Sequence, residues 1–293
     1  MTVLVDANGR PDFVVERLGK PDKTFVVLPL PLWKRLLDNE GLRRALVLVA
    51  LGLVWQAYAT WVSSDLVFPK LSDVLVALWK STINGVLPSR TWNSLHTLLI
   101  GYAVGIGLGI AMTTAAIVTR VGNDVLATLT SMFNPLPAIA LLPLALLWFG
   151  LGQGSIIFVL AHSVLWPFAL NTHSGYLSVS ETLRMAGRNC GLAPLQYVAR
   201  VLMPAALPSI IAGLKIAWAF GWRTLIAAEL VFGASSKGGG VGWFIFEKRN
   251  DLDIPEVFAG LLVIVIIGLV MEGVFFRTLE QRTVRKWGMV RSA

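Results

Sequence analysis

Four charged residues stand inside long apolar stretches: Lys215, Arg223 and Glu229 in one, and Glu272 in another. A charge taken out of water is expensive, so residues of this kind pair, line a wet cavity or meet a solute. Lys215 sits toward one end of its stretch, from which its chain can snorkel to lipid headgroups. Arg223 lies near the middle. Its planar guanidinium suits an anionic solute. It equally suits a buried ion pair joining helices or subunits, with Glu272 as an available partner. Glu229 follows six residues on, about 120° around an ideal helix, so it and Arg223 are not a same-face pair. Trp218 and Trp222 share a face with Lys215, a spacing that fits packing better than solute stacking.

Other chemistries find little support. His96, His162 and His173 are the three histidines, and none belongs to an H-E-x-x-H pair. His162 and His173 would lie about 16 Å apart along one helix, too far for a single metal. We therefore expect no catalytic residue and no metal site. A phosphate-binding loop of the G-x-x-x-x-G-K-[ST] type is missing, and Gly238-Gly239-Gly240 lacks the lysine such a loop needs. The single Cys190 excludes an internal disulfide.

The elements that must position these residues are membrane spans. Of 293 residues, 55% are hydrophobic and 14% charged, against about 25% charged in soluble domains. The mean hydropathy is +0.69. The net charge of +8 comes from basic residues flanking apolar stretches, as lipid headgroups and topology require. No basic run interleaved with aromatics suggests nucleic acid. Residues 1–41 balance six basic against six acidic side chains and show no signal-peptide core.

We expect three regions. Residues 1–41 form a cytoplasmic segment with a surface helix around Trp33-Lys34-Arg35-Leu36-Leu37, residues 42–287 hold six spans, and residues 288–293 are a tail. The expected spans are about 42–62, 91–119, 125–149, 156–176, 205–232 and 256–276, each near the ~20 residues that cross the hydrocarbon core. Residues 71–85 read as a helix outside the bilayer, 120–124 as a tight turn, 150–154 as an outer turn, and 233–255 as an outer glycine-rich loop. Gly101, Gly105 and Gly109, one turn apart, allow close helix approach, against a partner the sequence leaves open. Asn134-Pro135-Leu136-Pro137 and Pro143 interrupt the third span. Such irregular backbone survives in a membrane only against protein or a wet cavity. That turns the third span toward a pathway on one reading and makes it a packing kink on the other. With the N-terminus inside, inner segments carry 17 Lys/Arg and outer ones six, which supports both termini in the cytoplasm.

Between the fourth and fifth spans lies a polar island, Ser178 to Pro208. Ser178 and Glu181 have the spacing of a capping box. Gly191 breaks the first short helix, and Pro194 suits the first turn of a second. The island resembles the EAA loop of permease subunits of bacterial ATP-binding-cassette importers: E-A-A, three residues, Gly, nine residues, I-x-L-P. Here the segment reads Met185-Ala186-Gly187, then Gly191, then Val201-Leu202-Met203-Pro204. Met185 replaces the glutamate and Met203 the leucine. Over about residues 65–287 the chain also resembles the permease branch serving nitrate, aliphatic sulfonates, taurine and bicarbonate. Phe68-Pro69, the run 135–143, Trp148-Phe149-Gly150-Leu151-Gly152 and Trp222 to Glu229 carry that likeness.

The resemblance implies an all-α membrane protein with the six-helix architecture of type I importer permeases and a cytoplasmic coupling helix. It implies a bacterial inner-membrane location, two ATPase subunits that hold ATP and Mg²⁺, an external solute-binding protein and a second permease copy, most simply in a homodimer. No cofactor is expected on this chain. The coupling residues it implies are Arg184, Met185, Ala186, Gly187, Arg188, Asn189, Gly191, Leu192 and Pro204. Asn134, Pro137, His162, Arg223 and Glu229 are the candidates for the translocation path. An importer of the same fold for another nutrient is the alternative. A stand-alone channel has no use for a docking island, and a membrane enzyme lacks a catalytic constellation.

Overall fold

A computed structural model describes residues 40–64, 66–232 and 239–286. The expected surface helix near Trp33, the tail from residue 288 and Gly238 lie outside the described residues. By contact density the chain divides into residues 1–54 and 55–293. Helix α1, Glu40–Val62, runs through that boundary, and residues 40–54 of it are what is described of the first unit.

Among the described residues the second unit is helical, with no strands. After the end of α1 come α2 Leu71–Ile83, α3 Val86–Val118 and α4 Arg120–Phe133. A 3₁₀ turn at Ala138–Leu141 leads to α5 Leu142–Phe149, followed by α6 Gln153–Leu177. The island holds α7 Glu181–Asn189 and α8 Pro194–Tyr197, which runs on through a π-helical turn Val198–Leu202 into α9 Met203–Ala205. Then come α10 Leu207–Phe232, α11 Val241–Asn250 and α12 Ile254–Val270. The last continues through a π-helical turn Met271–Phe276 and the short helix Arg277–Glu280.

Five helices among the described residues are long and apolar enough to cross a membrane. The bent pair 120–133 and 138–149 makes a sixth span if taken together, with a 90° bend between its halves. The bend falls at Asn134-Pro135-Leu136-Pro137, where two prolines remove backbone donors and bar continuous helix. The architecture is thus the all-α membrane class expected.

Helix α6 is the centre of the packing: α3 lies along one side of it and α10 along another. The glycine ladder on α3 is what permits the first contact. A Cβ on Gly101 would stand 2.5 Å from Leu160, one on Gly105 2.8 Å from the Ala161 carbonyl, and one on Gly109 2.5 Å from Phe168. The small-residue face is therefore filled by α6 of the same chain and is not free for another copy. Between these helices Leu98, Val159, Leu160 and Leu225 are buried, with Leu142 of α5, Trp218 and Trp222 in the same cluster. In lipid the gain from such burial is contact density, because the acyl chains are themselves apolar.

Several local expectations change. Ser178 and Glu181 do not form a capping box. Ser178 ends α6, with its hydroxyl donating to the Gly175 carbonyl at 2.8 Å, and Ser180 precedes α7 without a side-chain cap. The turn expected at 120–124 is already helix, since the Thr119 hydroxyl accepts from the Gly122 amide at 2.9 Å and starts α4 at Arg120. The outer loop at 233–255 contains the ten-residue helix α11. The sixth span runs on to residue 284.

Candidate functional site

The break in the third span opens a cavity of about 400 Å³. Asn134, Pro135, Leu136, Pro137, His162, Ser163, Trp166, Phe220, Arg223 and Thr224 are among the residues that line it. Three elements supply them. The proline run brings irregular backbone, α6 brings His162 to Pro167, and α10 brings Phe220 to Ala227. The aromatic wall is ordered by its own contacts. Phe133 stacks on Trp166 at 5.4 Å between ring centroids, and His162 meets both rings edge-on at 5.9 Å. Ser163 and Thr224 exchange a hydrogen bond at 2.8 Å across the α6–α10 contact.

Among the described residues, Arg223 is the one formal charge in that lining. Its Nε donates to the Ala219 carbonyl at 3.1 Å, and its guanidinium carbon lies 5.0 Å from the centroid of the Phe220 ring. The side chain is exposed, and among the described residues no carboxylate lies in ion-pair range of it. Two of its three nitrogens remain available to a solute. His162 lines the cavity with its ring, while both ring nitrogens are buried without a hydrogen-bond partner among the described residues.

The structure thus brings Asn134, Pro137, His162 and Arg223 to one cavity. Glu229 is elsewhere, 4% exposed. Its carboxylate accepts from the Ser94 hydroxyl and from the Gly242 amide at 2.9 Å, while Ser94 Oγ accepts from the Val241 amide at 2.9 Å. A carboxylate accepting the second amide of α11 also complements the positive end of that helix. Gly240 is required by the same contact, since a Cβ there would overlap Glu229 and Ser94 Oγ. Ser94 and Gly242 were not singled out from the sequence, and Gly240 was read there only as part of a glycine cluster in a loop. Glu272, an available partner of Arg223 on the ion-pair reading, lies instead 3.4 Å from Lys215 Nζ. Lys215, read from the sequence as snorkelling toward the headgroups, has this carboxylate as its neighbour.

At the island, Gly191 takes φ +67° in open space, a left-handed conformation that costs a side chain dearly. Pro194 opens α8. Gly187 is buried, and a Cβ there would meet the Tyr197 ring at 2.9 Å, so α7 folds tightly back on α8. Arg184 ties α7 to the end of α6. Its Nε donates to the Val179 carbonyl at 3.1 Å, and its Nη2 donates to the Tyr176 carbonyl. Leu183, Met185 and Leu195 remain exposed, as do Ala186, Arg188 and Asn189, while Leu192 and Pro204 are half-buried.

A family model described as the binding-protein-dependent transport system inner membrane component matches residues 105–285. A putative aliphatic sulfonates transport permease of Escherichia coli (strain K12) is 30% identical over 222 residues, covering 75% of this chain and 82% of that protein. The taurine transport system permease of Escherichia coli (strain K12) is 29% identical over 264 residues, covering 85% and 91%. A nitrate import permease of Synechocystis sp. is 28% identical over 240 residues, covering 79% and 85%. With the family model spanning more than half of it, and relatives aligned across most of both lengths, the chain belongs to the binding-protein-dependent inner membrane components, the permease subunits of ATP-binding-cassette transporters.

Proposed function

We propose that this permease forms one half of the path by which an ATP-driven importer carries a small anion across the inner membrane. The observation that carries the reading is Arg223: an exposed guanidinium at the middle of an apolar span, facing the cavity beside the broken helix. Hydrocarbon is a costly environment for such a group, and an oxyanion matches its fork of donors. The names of the relatives, for aliphatic sulfonates, taurine and nitrate, point the same way, since each of those solutes carries an anionic group.

A second copy of the chain completes the path, and two ATPase subunits drive it. A solute-binding protein delivers the anion to the outer face. The island faces the cytoplasm with both termini, in keeping with its arginines and the basic tail. Arg184 to Asn189, with Gly191, Leu192 and Pro204, make the segment that docks the ATPase. ATP and Mg²⁺ belong to those ATPase subunits, and this chain supplies no hydrolytic group and no cofactor site. Closure of the ATPase pair moves α7, and α6 passes that motion to the helices around the cavity. The bundle then alternates between outward and inward access.

The test is reconstitution. The permease with its ATPase and binding protein should co-purify with two permease copies. In proteoliposomes it should take up ethanesulfonate, taurine or nitrate only with ATP. Uptake that continues without ATPase subunits would indicate a channel and overturn the reading.

A further inference from the structure

A second cavity, of about 520 Å³, lies between α10 and the last span; Lys215, Trp218, Trp222, Arg223, Gly268 and Glu272 are among its lining residues. Arg223 also lines the first cavity, so it stands in the wall between the two. Lys215 and Arg223 are eight residues apart on one helix, about 12 Å along its axis. Glu272 comes from the facing span, at its π-helical turn.

The Lys215–Glu272 pair is loose. The closest approach is 3.4 Å, and the side chains are 36% and 76% exposed. Ion pairs that open to water hold weakly, since solvation competes with them. Glu272 nevertheless stands alone as a charge between Glu256 and Arg277 of the last span, where a carboxylate turned to acyl chains would be expensive. That cost favours water over acyl chains on the face bearing Glu272, Lys215 and Arg223. Gly268, one turn before Glu272, has open space where a Cβ would stand, which keeps the groove wide beside the carboxylate. Two cations and one carboxylate leave the groove with a surplus positive charge.

Resting on the anion-path reading above, we propose that Glu272 is the resident counter-charge of this groove, held by Lys215 until the transported anion displaces it. Lys215 is then a second station for the anion, one step beyond Arg223. The carboxylate holds the place of the solute when none is bound and keeps the groove from retaining the solute as it leaves.

Charged thiol reagents test this without knowledge of the solute. In a Cys190→Ser background, a cysteine is placed by Ala219→Cys, or by Ala212→Cys should the first variant assemble poorly; both positions line the groove. The complex with its ATPase subunits is treated with the anionic methanethiosulfonate ethylsulfonate and the cationic trimethylammonium analogue. Adding Glu272→Gln should raise the ratio of anionic to cationic reaction rates by about fivefold. Ethanesulfonate should then protect the cysteine at lower concentration than with Glu272 present. A ratio that falls with Arg223→Gln but does not respond to Glu272→Gln overturns the role of Glu272 and leaves the anion path standing. No reaction with either reagent at either position means a dry groove and overturns the proposal.

Discussion

The Ser94 hydroxyl lies 2.8 Å from both carboxylate oxygens of Glu229, across 135 residues of sequence. The same oxygen accepts the Val241 amide. One serine therefore joins α3, α10 and the start of α11. Ser94→Ala strips a donor from a buried carboxylate and an acceptor from a buried amide. An unsatisfied buried polar group costs about 1–3 kcal/mol. Thermal unfolding of the purified permease should show a lower midpoint for Ser94→Ala, and a larger drop for Gly240→Ala, which drives a methyl into the pair. Equal midpoints for wild type and both variants would show that the contact adds no stability.

Two glycines on α3 make an internal comparison. A methyl on Gly105 meets the Ala161 carbonyl and Val164 at 2.8 Å, whereas one on Gly107 meets nothing within 4 Å. Overpacking of this kind costs about 1–3 kcal/mol. Alanine at Gly107 gains helix propensity instead. In the same unfolding assay Gly105→Ala should lose stability and Gly107→Ala should hold or gain it. The reverse order would mean that the α3–α6 contact is not as close as described.

Gly191 separates a conformational requirement from a steric one. Its φ is +67° with open space around it. Asparagine adopts that region at modest cost, and β-branched residues do not. Gly191→Asn should therefore keep most ATPase binding and solute-stimulated hydrolysis, while Gly191→Val should lose both. If Val is tolerated as well as Asn, the turn does not position the docking segment.

Much of this fold was legible in the sequence because spans announce themselves by length and apolarity. The break at Asn134–Pro137 and the stop at Gly191 were legible for a different reason: proline and glycine act on their own backbone, with no need of a neighbour. What stayed hidden was pairing. Periodicity placed Gly101, Gly105 and Gly109 on one face but said nothing of α6 as the partner. Arg223 and Glu272 looked like a pair by sign, yet Lys215 holds Glu272, because the facing turn of the last span meets α10 there. Glu229 read as a candidate for the translocation path, and only the return of α11 against Ser94 buries it. Helix α11 itself was hidden behind its glycines, which suggested loop; they are there so that backbone can approach a carboxylate.

If Arg223 presents positive charge to a passing anion, one substitution series will show it. Arg223→Gln keeps hydrogen-bonding capacity and removes the charge, while Arg223→Lys restores charge without the guanidinium fork. Each variant is reconstituted in proteoliposomes with the ATPase subunits and the binding protein, and ATP-driven uptake of the anion is recorded beside basal ATP hydrolysis. Arg223→Gln should assemble, hydrolyse ATP at near the wild-type basal rate and lose uptake by tenfold or more, with partial recovery in Arg223→Lys. Wild-type uptake by Arg223→Gln would contradict it, as would failure of that variant to assemble, which would make Arg223 a structural charge.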